Sequence, residues 1–80
     1  MNENNSFKTT DLGTATYLLS HKEELLETVS EGNDRKMTFV FAHSATVEER
    51  ATEFINGGMV EAKLFLHTLR DLRALTYKKE

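Results

Sequence analysis

The fold of this chain depends on one stretch of sequence, Lys36-Met37-Thr38-Phe39-Val40-Phe41-Ala42-His43. Its centre, Met37 to Ala42, is the most hydrophobic and most β-prone run in the chain. Aromatic and β-branched side chains suit the packed surface of a sheet, so this run predicts a buried strand. Phe39 and Phe41 should share one face of it. If helices covered only that face, Val40 would be left at a surface or an interface.

The predicted strand needs a partner, because a lone strand leaves its backbone hydrogen bonds unmade. The nearest candidate is Leu25-Leu26-Glu27-Thr28-Val29-Ser30, whose apolar residues also keep a helical rhythm. The intervening Glu31-Gly32-Asn33-Asp34-Arg35 is typical of a turn. We therefore predict a hairpin, with a helix over residues 25–30 as the alternative. Phe7-Lys8-Thr9-Thr10 predicts a further short strand anchored by Phe7.

Two helices are marked by their ends. Asp11 is typical of an N-cap, and it precedes a predicted helix over Leu12 to Ser20. Thr46 with Glu49 fits a capping box, which predicts a second helix running to about Ile55. The apolar face predicted for this second helix consists of Val47, Ala51, Phe54 and Ile55. The sequence Asn56-Gly57-Gly58 predicts a left-handed stop after it.

The last predicted helix is the longest, running from about Glu61 to Thr76. Its predicted apolar stripe consists of Ala62, Phe65, Leu66, Leu69, Leu72 and Leu75. The elements together predict an α+β fold in which a small antiparallel hairpin or sheet packs against about three helices. Their predicted order is α-β-β-α-α, with the possible short strand at the amino terminus. Residues 1–6 are expected to be flexible, and residues 7–80 to form a single domain.

Composition narrows the class of protein. The 80 residues carry a net charge of −3 and no cysteine, so disulfides and thiolate chemistry are excluded. Residues 1–34 have a net charge of −5 and residues 35–80 of +2. The polar amino terminus is unlike a signal peptide, and no apolar run approaches a membrane span. We expect a cytoplasmic protein with no membrane association.

No residue pattern indicates catalysis, a metal site or a cofactor. The spacing of His21, His43 and His67 does not match metal-binding motifs. His43 beside Ser44 suggests a nucleophile with its base, but no third orienting acid is evident and a loop serine near a helix start is the plainer interpretation. We therefore expect a protein that is not an enzyme and that binds no cofactor.

Two surfaces of the last helix are candidates for binding. A basic stripe consists of Lys63, His67, Arg70 and, slightly off its line, Arg73, and Tyr77 extends it. Steps of four and three residues place the first three on one side of a helix, where they could follow phosphates with an aromatic side chain available for stacking. The alternative, which the negative net charge and the lack of a recognition motif favour, is a solvated basic face that balances nearby acidic side chains. A candidate dimer or packing face consists of Leu64, Leu66, Leu72 and Leu75, because the helix is apolar over more of its circumference than a small core requires.

Four segments of the chain carry a family resemblance. They are Phe7-Lys8-Thr9-Thr10-Asp11-Leu12, Thr38-Phe39-Val40-Phe41, Phe54-Ile55-Asn56-Gly57 and Val60-Glu61-Ala62. They resemble the domain-of-unknown-function family 5659 over residues 7 to 77. The resemblance implies a compact α+β unit from bacterial, phage or mobile-element genomes, and it supplies no catalytic residues. Residues 25–29 are flanked by more acidic residues than is expected for the corresponding strand of the family. This departure leaves the register of the predicted hairpin open.

Function remains a choice between hypotheses. The first is a non-enzymatic binding module that acts through contacts with an unidentified protein, with a homodimer through the last helix as a further possibility. The alternative is a nucleic-acid-binding accessory protein that uses the basic stripe. A small hydrolase built on His43 and Ser44 is the weakest of the three.

Overall fold

The computed structural model of the protein describes residues 6–30 and 37–77, with side chains described up to Leu75. The described residues form three strands and three helices in the order β-α-β-β-α-α. The strands are β1 (Ser6–Thr9), β2 (Leu25–Ser30) and β3 (Met37–Ala42). The helices are α1 (Leu12–Ser20), α2 (Val47–Ile55) and α3 (Ala62–Tyr77). The predicted α+β class is confirmed, and the short amino-terminal strand is present.

The aromatic run is the central strand of an antiparallel sheet with the order β1-β3-β2. Phe41 faces Phe7 in β1 and Leu25 in β2. The β2–β3 pairing confirms the hairpin and rules out a helix over residues 25–30, while the predicted turn at residues 31–35 lies outside the described residues. A bulge between Leu25 and Glu27 changes the register of β2. At this bulge Leu26 and Glu27 are both exposed, so the burial of the strand does not alternate there.

The main core lies between the helices and the phenylalanine face of β3. One cluster of buried side chains joins Phe39 and Phe41 to all three helices, namely to Ala15, Leu18, Val47, Ala51 and Leu72. Val40 lies outside this cluster but is itself buried. Its cross-strand neighbours are Lys8 and Glu27. Val40 is therefore not left at an open surface of the described structure, and the longer side chains of Lys8 and Glu27 occupy the neighbouring positions on the two flanking strands.

Helix α1 is buried on more than one side. Its N-cap is Asp11, as predicted, and the Asp11 carboxylate accepts hydrogen bonds from the backbone N–H and the hydroxyl of Thr14. Thr16 is fully buried, and its hydroxyl donates to the carbonyl of Leu12. The polar positions that weaken the helical propensity of this segment are therefore packed, and tertiary contacts hold the helix.

Helix α2 begins after Thr46, as predicted, but the predicted capping box is wrong. The Thr46 side chain makes no cap hydrogen bond. Ser44 Oγ instead accepts from the backbone N–H of Val47 at 3.0 Å. Ile55 is also misassigned in the prediction, because it is 77% exposed rather than part of the buried face.

Helices α1 and α2 end in the same way. In each, the second residue after the C-cap donates its backbone N–H to the carbonyl five residues earlier. Glu23 donates to Leu18 at the end of α1, and Gly58 donates to Glu53 at the end of α2. This hydrogen bond defines a Schellman motif, which requires a left-handed residue just before its donor. That residue is Gly57 at the end of α2, with a φ of 90°, and Lys22 at the end of α1, with a φ of 69°.

Lys22→Gly is expected to raise the free energy of unfolding by about 0.5–1 kcal/mol, because glycine adopts the left-handed conformation without a steric penalty. Urea unfolding followed by circular dichroism measures the change. Lys22→Ala is the control, since it removes the same charge and keeps the Cβ atom. Equal stabilisation by both variants would assign the gain to the lost charge instead.

Candidate interaction surface

Helix α3 is held to the rest of the fold along a narrow line. Glu61 precedes it, and its carbonyl accepts the N–H of Phe65 at 2.9 Å. The helix packs mainly against α1. Leu72 is 1% exposed and joins the core, whereas Phe65 and Leu69 are only half-buried. The remaining circumference of α3 is therefore available to solvent over most of the described residues.

The predicted basic stripe lies on the side of α3 that points away from Leu72. Lys63, His67 and Arg70 are all exposed. Among the described residues, none of these three forms an ion pair or a hydrogen bond with an acidic side chain. Arg73 is exposed as well. For Tyr77 the structure gives the backbone position, at the end of the helix, but not the side chain.

The four leucines of the predicted dimer or packing face do not lie together. Leu72 belongs to the core of its own chain. Leu66, which is 61% exposed, lies about 160–180° around the helix from Leu64 and Leu75, which are 41% and 47% exposed. The sequence overestimates the apolar stripe because helical spacing alone cannot say how much of a helix its neighbours cover.

A shallow hollow of about 280 Å³ lies at the first turns of α3. Its lining consists of Glu61, Lys63, Leu64 and His67. A second and larger concave surface, of about 450 Å³, lies at the end of α2 and includes Glu49, Glu53 and Asn56. Two carboxylates do not suffice for a metal site, and the described part of the chain holds no group of three metal-binding side chains.

The pair His43 and Ser44 is not assembled as a nucleophile and its base. Ser44 Oγ donates to Glu23 Oε1 at 2.7 Å and accepts from backbone N–H groups at the start of α2. His43 is exposed, and no hydrogen bond joins it to Ser44 in the described structure. The serine hydroxyl is thus engaged in starting a helix.

Glu23 is the charged residue whose role the sequence does not reveal. It is only 7% exposed, although its sequence neighbour Glu24 is exposed. Its second carboxylate oxygen accepts from the Thr46 hydroxyl at 2.6 Å. Glu23 thereby joins the segment after α1 to the amino-terminal end of α2, where the helix dipole favours a negative charge. Its position in an acidic pair predicts a solvated residue, and no spacing pattern indicates otherwise.

Tyr17 is the second buried group without a clear signal in the sequence. Its hydroxyl donates to Glu53 Oε1 at 3.0 Å, and its ring lies 4.4 Å from that of His21 and 5.2 Å from that of Phe54, between centroids. His21 Nε2 in turn lies 3.1 Å from the carbonyl oxygen of Met59. These contacts hold the segment between α2 and α3 against α1.

Tyr17 should make stability depend on pH in the alkaline range. Burial, and then the hydrogen bond and the charge of Glu53, raise the pKa of its hydroxyl above the ordinary value of 10.0, while Arg50 opposes the rise. The folded state therefore keeps the proton at a pH where the unfolded chain has lost it. Tyr17 therefore makes its full contribution to the free energy of unfolding at pH values below the pKa of tyrosine in the unfolded chain. This contribution is lost as the pH rises through the pKa of Tyr17 in the folded protein.

The free energy of unfolding is accordingly expected to fall with pH above about 10, and more steeply in the natural chain than in Tyr17→Phe. Urea unfolding at a series of alkaline pH values measures both slopes. Tyr77 is present in both proteins, so its ionisation cancels. Identical slopes would contradict the assignment to Tyr17.

The chain matches the model of one protein family, described as Domain of unknown function (DUF5659), over residues 4–78. This span is nearly the whole chain, and the chain therefore belongs to that family. A search of the curated proteins and a search of the solved structures each found no match to this chain. None of the described helices is long and apolar enough to cross a membrane. The family description assigns no activity.

Proposed function

We propose that this member of the DUF5659 family is a non-enzymatic binding module that engages a protein partner through the outward side of α3. The observation that carries the proposal is the position of Leu66. It is exposed, and it lies three residues after Lys63 and four before Arg70, so all three side chains are neighbours on the helix surface. An apolar contact surrounded by polar and charged side chains matches the usual layout of a protein interface, an apolar centre with a polar rim, and arginine is enriched in such interfaces.

The partner should present acidic side chains around an apolar contact. Lys63 and Arg70 have no acidic partner among the described residues, so a carboxylate on another protein would meet their unneutralised charge. The burial of Leu66 would supply affinity, while the cations would favour the correct partner and speed association. The overall charge of −3 argues against a surface that relies on electrostatic attraction alone.

We also propose that the protein is not an enzyme, and the reasons for this do not involve α3. The sequence has no catalytic pattern, and the hydroxyl of Ser44, the nucleophile that the sequence suggested, donates a hydrogen bond to Glu23 Oε1. A cytoplasmic setting in bacteria, phages or mobile elements is proposed from the cysteine-free composition and the family resemblance alone.

The test uses the natural chain as bait in lysate from its source cells, alongside the double variant Leu66→Ser, Arg70→Glu. The control is Glu48→Lys, which changes an exposed charge on α2. A protein captured by the natural chain and by the control, but lost with the double variant, is then purified. Calorimetry should give an affinity at least about tenfold weaker for the double variant. A partner that binds all three baits equally would disprove the role of α3.

Nucleic acid is the second candidate, because Lys63, His67 and Arg70 follow one side of a helix. Fluorescence anisotropy with single-stranded DNA, duplex DNA and RNA at about 50 mM salt tests it. Binding that weakens with salt, and whose salt dependence flattens in Arg70→Ala with Arg73→Ala, would favour this function. No change in anisotropy for any of the three probes would end it.

A further inference from the structure

Asn56 is the only asparagine in the chain that is followed by glycine. It lies at the end of α2, and both Asn56 and Gly57 are exposed. A Cβ atom at Gly57 would meet no described atom within 4 Å. Asparagine is a thermolabile residue, because the backbone nitrogen that follows it can attack its side-chain amide. A glycine in the next position hinders that nitrogen least, since it has no side chain.

We infer that Asn56 is a site of spontaneous deamidation and that the closed cap of α2, residues 56–58, controls its rate. Hydroxide ion removes the N–H proton of Gly57, and the nitrogen attacks Cγ of Asn56. The bond from Cγ to Nδ2 breaks, and ammonia leaves after taking a proton from water. The two residues then share a succinimide ring.

Water opens this ring in one of two ways, and neither involves oxidation or reduction. Cleavage of the bond between the Gly57 nitrogen and Asn56 Cγ gives aspartate. Cleavage of the bond between the same nitrogen and the backbone carbonyl carbon of Asn56 gives isoaspartate, in which the main chain passes through the side chain and is one carbon longer. Both products carry a negative charge that asparagine lacks.

The closed cap holds the reacting atoms apart. The ψ of Asn56 is 17°, which turns the Gly57 nitrogen away from the Asn56 side chain. The N–H of Gly57 also donates to the carbonyl of Phe54 at 3.2 Å. Attack therefore requires a large rotation about the Cα–C bond of Asn56, and this rotation breaks that hydrogen bond. Local openings of this kind cost least where backbone hydrogen bonds are exposed to solvent, as they are at this helix end.

Deamidation should in turn keep the cap open. The new carboxylate would lie at the carboxyl-terminal end of α2, where the helix dipole disfavours a negative charge. It would line the concave surface that already holds Glu49 and Glu53. Isoaspartate would also push on Gly58, which lies so close to Tyr17 that even a Cβ atom does not fit. The modified chain should therefore have a looser junction between α2 and α3.

The reaction can be followed in purified natural protein without any partner. The protein is incubated at mildly alkaline pH, in buffer and in guanidinium chloride, and peptide mapping by mass spectrometry gives the rate at each asparagine. We expect the first product at Asn56. Its formation should be at least about tenfold slower in buffer than in denaturant, because the folded cap has to open before the nitrogen can attack.

Three variants separate the chemistry from the control by the cap. Gly57→Ala hinders the attacking nitrogen, so it should slow the reaction in denaturant severalfold. Gly58→Ala leaves the reacting atoms unchanged but crowds Tyr17, so it should speed the reaction in buffer and not in denaturant. His21→Ala removes the ring whose Nε2 lies 3.1 Å from the carbonyl oxygen of Met59, and it should act in the same direction. Circular dichroism verifies that each variant is folded in buffer.

Asn56→Asp supplies the carboxylate without the reaction. Hydrogen exchange at the amide of Gly58 should be at least about threefold faster in this variant than in the natural chain. Equal deamidation rates in buffer and in denaturant would overturn the control by the cap. A first product at another asparagine would overturn the site, and unchanged exchange in Asn56→Asp would overturn the effect on the junction.

Discussion

Replacing Glu23 by alanine is expected to lower the free energy of unfolding by about 2–4 kcal/mol, because two hydrogen bonds to a charged acceptor are lost together. The carboxylate accepts from Ser44 at 2.7 Å and from Thr46 at 2.6 Å. Removing it leaves both hydroxyls without this acceptor. Ser44 is half-buried, whereas Thr46 is exposed, so water can replace the lost acceptor more easily at Thr46 than at Ser44. The loss is limited by the desolvation cost of the buried charge, which the alanine variant no longer bears.

The effect belongs to the carboxylate and not to the acidic pair as a whole. Glu24→Ala is the matched control, because Glu24 is exposed and its structural contact is made by its backbone carbonyl, which accepts from Ala42 at 2.8 Å. It should change stability by less than about 0.5 kcal/mol. The loss of unfolding free energy in Glu23→Gln should lie between those of Glu23→Ala and Glu24→Ala, because glutamine keeps an acceptor oxygen but loses the charge. Urea unfolding measures the three free energies of unfolding, and the comparison requires that the m-value be the same for each variant. Equal effects of Glu23→Ala and Glu24→Ala would refute the stabilising role of the Glu23 carboxylate.

Much of the fold follows from local signals in the sequence. Asp11 and the glycines after α2 each satisfy a specific need of a helix end, and the run from Met37 to Ala42 suits a central strand. These interactions span only a few residues, so the sequence displays them directly. The pairing of β2 with β3 was inferable as well, because an unpaired central strand is physically untenable.

The interactions that sequence reasoning missed connect distant parts of the chain. The hydrogen bond from Thr46 to Glu23 spans 23 residues, and that from Tyr17 to Glu53 spans 36. No periodicity reports such contacts. Ser44 displaced Thr46 as the cap of α2 because the Thr46 hydroxyl is used by Glu23. The same limit applies to the candidate surface. The spacing of the α3 residues predicted which side of the helix is basic, but it could not predict that Leu66 is exposed on that side, that Leu64 is exposed elsewhere and that Leu72 is buried in the core.

Replacing Gly58 by alanine is expected to destabilise the fold by about 1–3 kcal/mol, the usual cost of overpacking. A Cβ atom at this position would collide with the Tyr17 hydroxyl oxygen, and it would lie 2.9 Å from Tyr17 Cζ and 3.0 Å from the carbonyl oxygen of Glu53. The Glu53 oxygen is backbone, and Tyr17 is fixed by its own contacts with Phe54 and His21. Neither neighbour can move away cheaply, so the segment leading to α3 has to shift.

Two further variants separate this collision from the general cost of replacing a glycine. Gly57→Ala meets no atom within 4 Å and is affected only by its φ of 90°, so it should cost about 1 kcal/mol. Tyr17→Phe removes the oxygen that the new Cβ would strike. In that background, Gly58→Ala should therefore cost less than it does alone, by about 0.5–2 kcal/mol, which is the coupling expected for residues in contact. Strictly additive effects in this double-mutant cycle, measured by urea unfolding, would show that Gly58 is needed for some reason other than its contact with Tyr17.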